Sequence, residues 1–293
     1  MKNFKFDIDA WTGGNTLGKA MADGVVENLH TNTLKIRVIV SKSDINNFNI
    51  NNISNSLTFY STDYNFNTSD LKIDWGDGSY DTIDDMISTN AVGNNKYSHK
   101  FKHIYNDTGY YYIEVFNLPR DAYLNLHLIG FTITEIHSIP LSNSPYSLSQ
   151  LNHLNFISPH TFCKGQTIKL SSFFSGCSSL EIIPDKLFYG CIAVKEDTLS
   201  NMFYNCNNIR KVGAIFDSML GLECYRSVTT MFSSFLNNKN LNSIDIANLL
   251  DNCVFPNVTD ASGFLSVYNY SEYIDEKLPK INNFNKAFPN IKK

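Results

Sequence analysis

Residues 174–183 read Phe174-Ser175-Gly176-Cys177-Ser178-Ser179-Leu180-Glu181-Ile182-Ile183, and residues 203–212 read Phe203-Tyr204-Asn205-Cys206-Asn207-Asn208-Ile209-Arg210-Lys211-Val212. Both spell Phe-x-x-Cys-x-x-aliphatic-x-x-aliphatic, 29 residues apart. Another 29 residues on stand Phe232 and Phe235, then Leu241 and Ile244; Phe264, Val267 and Tyr270 repeat the opening. A half-unit sits at Phe188-x-x-Cys191-x-x-Val194. A unit of this length is too small to bury its own apolar face, so such units stack and bury each other's. Stacking in register predicts a spine of phenylalanines. It makes Cys177, Cys191 and Cys206 small buried hydrophobes, not ligands or nucleophiles.

Upstream the period changes to two. Leu34, Ile36, Val38 and Val40 alternate with polar neighbours, as in a strand buried on one face. Leu57 to Tyr60, Leu71 to Trp75, Phe101 to Tyr105 and Tyr110 to Phe116 read as further strands. The last two flank a turn at Asn106-Asp107-Thr108-Gly109. Five or more short strands in one stretch predict a β-sandwich. Leu124-x-Leu126-x-Leu128 and Phe131 to Ile136 read as linking strands, and Ser142 to Gln150 as a loop. In residues 1–33, Leu17, Ala20, Met21, Val25 and Leu29 recur at helical spacing. Asn15 or Thr16 is placed to cap that helix and Gly24 weakens it. It either docks on a neighbour or covers this chain's own sheet.

Two resemblances follow from these residues. Trp75-Gly76-Asp77-Gly78, followed by His103-x-Tyr105 and Gly109-x-Tyr111-x-Ile113-x-Val115, resembles the signature of the PKD (polycystic kidney disease) domain. The resemblance implies an Ig-like sandwich with Trp75 between its sheets, and the glycines permit a tight turn bonded by Asp77. The stretch from Ser79 to Lys100 is long for that family and is expected to be a surface insertion. Ser175-Gly176-Cys177-Ser178-Ser179-Leu180, Asn201-Met202-Phe203-Tyr204-Asn205-Cys206, Val228-Thr229-Thr230-Met231-Phe232 and Asn257-Val258-Thr259-Asp260 resemble BspA-like leucine-rich repeats over about residues 150–270. Repeat lengths vary and Phe235 stands where that pattern has Cys, which favours a short, irregular, capped stack. The expected fold is therefore mainly β: an N-terminal anchoring segment (1–33), a PKD-like sandwich (34–120), a BspA-like repeat domain (121–275) and a C-terminal tail (276–293).

Composition bounds the function. The chain has 293 residues, 43% apolar and 18% charged, with a formal net charge of -4. That is enough apolar material for a core, with a surface drawn largely from Asn, Ser and Thr. Asn runs such as Asn46-Asn47 and Asn282-Asn283 suit a turn-rich β protein, or reflect compositional bias alone. No long basic block points to nucleic acid; Lys280, Lys286, Lys292 and Lys293 form only a thin positive end. No stretch reaches the roughly 20 apolar residues of a membrane span. The first ten residues lack the apolar core of a secretory signal, an expectation that fits assembly inside a cell and release by lysis.

Chemical motifs are sparse. Cys163, Cys177, Cys191, Cys206, Cys224 and Cys253 form no CxxC pair, and neither a zinc ribbon nor a disulfide framework is expected. Of His30, His99, His103, His127, His137, His153 and His160, only His99 and His103 have a spacing that holds a metal, and only on a helix; the region reads as strand. Asp74, Asp77, Asp81, Asp84 and Asp85 raise calcium, but without EF-hand spacing they read better as turn caps. Asp7 and Asp9 beside Gly13-Gly14 are weaker still. No nucleophile elbow, P-loop or dinucleotide loop occurs, and no catalytic, cofactor or metal residue is assigned.

Three function classes result. The first is a non-enzymatic phage virion component (head fibre, capsid decoration or tail protein). It would hold other virion proteins through residues 1–33 and act in assembly or host attachment to a surface protein or glycan, with homo-oligomerisation open. The second is a bacterial cell-surface adhesin, which implies a longer exported precursor. The third, a hydrolase carrying a binding module, has the least support. Tyr110, Tyr112 and Tyr189 are the candidate contacts. Tyr110 and Tyr112 are expected to face away from Tyr111.

Overall fold

A computed structural model of the protein describes residues 33–42, 56–62, 70–93, 96–119, 122–124, 126, 131–139, 147–162, 164–194, 199–225, 248–259 and 284–291. The proposed N-terminal helix, Cys163, and the units at Phe232 and Phe264 lie outside them. The described chain is mainly β.

Two larger sheets come first along the chain. The six-stranded sheet has the order β10-β9-β1-β7-β3-β4, from β1 (Leu34–Val40), β3 (Lys72–Asp74), β4 (Tyr80–Thr82), β7 (Gly109–Phe116), β9 (Thr132–Ser138) and β10 (Phe156–Ile157). The four-stranded sheet has the order β5-β6-β2-β8, from β2 (Ser56–Ser61), β5 (Ser88–Gly93), β6 (Lys96–Lys102) and β8 (Tyr123–Leu124). The alternation in β1 is realised: Leu34, Ile36, Val38 and Val40 are buried while Lys35, Arg37 and Ile39 are not. Opposite it in register, Ile113 and Val115 of β7 are buried too. Leu57, Phe59 and Phe101 carry the inner face of the second sheet, with Phe59 and Phe101 edge to face at 5.8 Å.

Two expectations are corrected. Residues 79–100 are not a surface insertion: they supply β4, β5 and most of β6, each paired in a sheet. The stretch looked like a loop because β5 carries almost no apolar alternation; its Ser88–Gly93 residues are exposed or half-buried at a sheet edge. Residues 123–124 and 132–138 are strands, as expected, but they belong to the sheets rather than link them. β8 pairs with β2, and β9 pairs with β1 along most of its length.

Trp75 is fully buried and its ring stacks on His103 at 4.8 Å. The Tyr105 hydroxyl donates to the Trp75 carbonyl at 2.8 Å, and Tyr105 stacks on Tyr111 at 4.1 Å. Gly76 follows at φ +80, so close to β7 that a Cβ there would sit 2.4 Å from the Tyr112 carbonyl oxygen. Gly78 is at φ +94 with open space around it.

The second half is built differently. β10 adds to β9 in parallel, and from there the chain winds in coils joined by short parallel strands. β11 (Thr167–Ile168) pairs with β13 (Ile192–Ala193), and β12 (Ile182–Ile183) with β14 (Lys211–Val212). Ile192 also bridges Leu220. Two ladders therefore run along the stack, one through residues 182 and 211, the other through 167, 192 and 220. The half-unit at Phe188 is thus no fragment; it forms the second side of a coil whose first side begins at Phe174.

Each side uses one turn form. Ser172, Lys186 and Asn201 take positive φ two residues before Phe174, Phe188 and Phe203. Gly176, Gly190, Asn205, Ser218 and Asn252 take positive φ two residues after Phe174, Phe188, Phe203, Phe216 and Leu250. The next residue is Cys177, Cys191, Cys206, Met219 or Cys253, all buried. Gly and Asn suit these positions because their left-handed conformation costs other residues about 1–2 kcal/mol. Consecutive coils bond through the turns: the Phe174 N–H donates to the Met202 carbonyl at 2.9 Å, Gly176 to Tyr204 at 2.8 Å, and Gly190 to Ser218 at 3.0 Å. Asparagine side chains add rungs, from Asn208 to the Ser178 carbonyl (2.8 Å), Asn257 to Glu223 (2.7 Å) and Asn290 to Pro256 (2.5 Å). Phe174 and Phe203 stack at 5.3 Å with rings 3° from parallel, Phe188 follows onto Phe216, and Phe255 onto Phe288.

The C-terminal tail expectation is corrected for residues 284–291. The short helix α1 (Phe284–Ala287) leads into a turn whose Ala287 carbonyl accepts from Phe255 N–H at 2.7 Å, and Ala287 and Phe288 are buried. These residues close on the last described coil.

The contrast between the two glycines is testable. Gly76→Ala meets both a left-handed backbone and the β7 main chain, and is expected to cost roughly 3 kcal/mol or more. Gly78→Ala meets only the backbone term, about 1–2 kcal/mol. Chemical denaturation of the two variants measures the difference; equal losses would show that Gly76 does not need its close approach.

Candidate binding face

The outward residues of the six-stranded sheet form one connected polar and aromatic surface. Pairing sets Arg37 opposite Tyr112 on one side and Glu135 on the other. The Arg37 guanidinium lies 4.1 Å from the Tyr110 ring centroid and 5.8 Å from that of Tyr112, and it forms an ion pair with Glu135. Lys35 pairs with Glu114 at 2.5 Å and lies 5.6 Å over Tyr112. The Tyr112 hydroxyl donates to Glu135 at 3.2 Å. His137 Nε2 bonds Glu135 at 2.8 Å, and its Nδ1 bonds the Ser158 hydroxyl at 3.0 Å. That last contact straps the first coil to the sheet.

Tyr110 is 57% and Tyr112 37% exposed, with Tyr111 half-buried on the opposite side, as their alternation predicts. Tyr80 adds a third exposed ring, 60% open, with Lys72 4.7 Å above it. Tyr189 does not join them. It is half-buried in the coils, edge to face with His160 at 5.2 Å. Arg37, Glu135 and His137 were not singled out from the sequence. Their alternation in β1 and β9 marks them as outward, but only the cross-strand register joins them.

Burial by itself would raise the Glu135 pKa; the bonds and charge of His137 and Arg37 outweigh it and hold the carboxyl below its ordinary value. Burial, with the Glu135 charge, raises Tyr112, against the pull of Arg37. Ser158, His137 and Glu135 lie in the order of a hydrolytic triad, but Ser158 is 3% exposed and Glu135 is clamped by Arg37. A buried hydroxyl offers no approach to an acyl group, so the network acts as a strap.

A second polar cluster lies under the Trp75 turn. His103 Nε2 bonds Asp77 at 2.8 Å, and Asp77 also accepts from the Ser79 N–H at 3.0 Å and hydroxyl at 2.6 Å. Burial would raise Asp77; these bonds prevail and lower it. Two of the other aspartates serve turns as well. Asp74 accepts from Gly76 N–H, and Asp85 from Thr82. Asp81 is raised, mainly by burial, against the pull of the Trp75 side chain. His99 is fully buried with Ser61 and Thr89, apart from His103's partners. Among the described residues, no three His, Cys, Asp or Glu side chains gather as a metal site. His30, His127, Asp7 and Asp9 lie outside the described residues.

Among the described residues Cys177, Cys191, Cys206 and Cys253 are buried and Cys224 is half-buried. Cys177 donates to the Leu148 carbonyl at 2.9 Å and Cys206 to Phe174 at 3.0 Å. Burial pushes Cys177 and Cys253 up to about 12, and Cys206 well above the ordinary thiol.

No family model, curated protein or solved structure matches the chain.

Two predictions follow from these surroundings. Glu135 and Asp77 bind protons less readily folded than unfolded, so their stabilisation is complete above the ordinary carboxylate range, about pH 4, and is lost as pH falls through the lowered folded values. The melting temperature is expected to drop between pH 5 and 3, and less steeply in Glu135→Gln; identical slopes would remove Glu135 from this balance. With a maleimide at pH 8, Cys177, Cys206 and Cys253 are expected to react only after denaturation, while rapid native labelling of Cys177 would contradict its place in the stack.

Proposed function

We propose that this chain is a non-enzymatic structural and binding protein of a phage particle: a head fibre, capsid decoration or tail protein. Its architecture is taken as a PKD-like, Ig-like sandwich that begins at residue 34 and takes in β8 and β9 beyond the expected boundary at 120, joined to a short, irregular BspA-like leucine-rich-repeat solenoid that follows them. The Trp75-Gly76-Asp77-Gly78 turn, with Tyr105 bonded back to it, supports the first module. The stacked Phe174 and Phe203 rings and the parallel pairing of Ile182–Ile183 with Lys211–Val212 support the second. Among the described residues no helix is long and apolar enough to cross a membrane.

One observation carries the binding role. Tyr110 and Tyr112 stand in the open in contact with Arg37, and the Tyr112 hydroxyl is bonded to Glu135, whereas the buried polar groups around them are engaged in turns and straps. Exposed, pre-ordered aromatic rings lose little entropy on contact, which is what an attachment surface requires. In this reading residues 1–33 hold the neighbouring virion protein, and the tyrosine face meets a host-surface protein or glycan. The bacterial adhesin alternative draws on the same face and on the wording of the repeats.

Mass spectrometry of purified particles tests the assignment. The protein is expected there in a copy number set by particle symmetry; its absence, or its recovery as part of a longer exported precursor on cells, overturns the virion reading. On particles, Tyr110→Ala/Tyr112→Ala is expected to reduce host adsorption severalfold without loss of the protein from the particle.

A further inference from the structure

The two ladders of the coils differ in what they show to solvent. Along the second, each turn places a left-handed residue, then a buried one, then one that faces out: Gly165, Gln166 and Thr167; Gly190, Cys191 and Ile192; Ser218, Met219 and Leu220; Asn252, Cys253 and Val254. Thr167 pairs with Ile192, and Ile192 bridges Leu220. The coil of Val254 lies on that of Leu220: Phe216 and Phe255 meet edge to face at 5.4 Å, and the Asn257 amide donates to the Glu223 carbonyl at 2.7 Å. Ile192, Leu220 and Val254 all stand exposed, Leu220 by 56%, so an apolar ridge runs along one side of the stack. The winding does not demand it. On the first ladder the half-buried Ile182 is paired with Lys211, and the exposed Glu181 and Arg210 form an ion pair at 3.0 Å.

Among the described residues, charge is divided along the same ridge. The exposed Lys164 and Lys169 flank Thr167 at one end. Asp217 and Glu223 flank Leu220, and Asp251 precedes Val254 as Lys164 precedes Thr167. Between them, in the coil of Ile192, Lys186 lies 5.8 Å over Tyr189. One end is therefore basic and the other acidic. We propose that this ridge is the contact between two copies of the chain, packed antiparallel about a two-fold axis that crosses the stack. Such an axis builds the interface from the same patch on both copies. It lays Ile192 of each copy on Leu220 of the other and Thr167 on Val254. It also brings Lys164 to Asp251 and Lys186 to Asp217. Parallel packing would set like charges opposite each other, and a polyanion or an anionic lipid surface would be repelled by the acidic end. A second copy turned end for end carries its charges in the opposite order and suits both ends. The contact lies away from the tyrosine face and does not depend on the virion assignment.

Sedimentation equilibrium of the full chain from about 1 to about 200 μM tests it. The expected result is a reversible equilibrium between monomer and dimer. Its dissociation constant should rise at least about tenfold in Leu220→Glu and stay unchanged in Asn207→Glu, on the other side of the coils. Lys164→Glu and Asp251→Lys should each weaken the dimer, and the double variant should restore it. Circular dichroism checks that the variants are folded, and Leu220→Ser serves if Leu220→Glu is not. The proposal is overturned if the native chain is monomeric throughout, if Leu220→Glu dimerises as tightly as the native chain, or if the charge swap restores nothing. A monomer whose melting temperature falls in Leu220→Glu would overturn it too, and would assign the ridge to another segment of the same chain.

Discussion

Backbone hydrogen bonding between successive coils is the constraint on which the second half of this protein depends. A coil of short strands and tight turns cannot satisfy its own N–H and C=O groups, so each turn must offer them to the next one along. Phe174, Gly176 and Gly190 donate to Met202, Tyr204 and Ser218 in this way. The donors aim correctly only if the residues flanking the phenylalanine are left-handed, hence Ser172 and Gly176, Lys186 and Gly190, and Asn201 and Asn205. The same winding turns each phenylalanine inward and buries the residue that follows the second left-handed position. Cys177, Cys206 and Met219 are therefore equivalent despite their different chemistry.

The first half obeys a different rule, in which the sheet pleat sends alternate residues to opposite environments. The inward set closes a core around Trp75, and the outward set is free to carry chemistry. On the six-stranded sheet that set is a charge-balanced lattice of Lys35, Arg37, Glu114 and Glu135 with tyrosines over its cations. The outward set of the four-stranded sheet puts Lys100 beside Thr58 and Ser98 beside Tyr60. The two sheets thus present different outward chemistry. His137 and Ser158 meanwhile tie the coils to the sheet, so the module and the stack share a junction with defined geometry.

What could be read in advance varied with the range of the signal. The strand at 34–40, the outward pair Tyr110 and Tyr112 and the buried Cys177 and Cys206 were legible because each depends on local periodicity. The edge strand at 88–93 was not, since an edge strand needs no apolar side and carries none. The closing turn at 284–291 was missed for a related reason: Phe288 alone gives no period, yet it is buried because Phe255 lies above it. The half-unit at Phe188 was visible as a motif, but its meaning required knowing that the chain doubles back within one coil.

The linear order of residues by itself therefore determined the mainly β class, the change of period between the two halves, and the inward turn of Trp75, Phe174, Phe203, Cys177 and Cys206. The tertiary structure alone decided that Arg37 meets Glu135 and Tyr110 and that His137 reaches Ser158. Alternation along a strand tells which face a side chain takes. Its neighbours on that face come from strands tens of residues away, and only the pairing register chooses them.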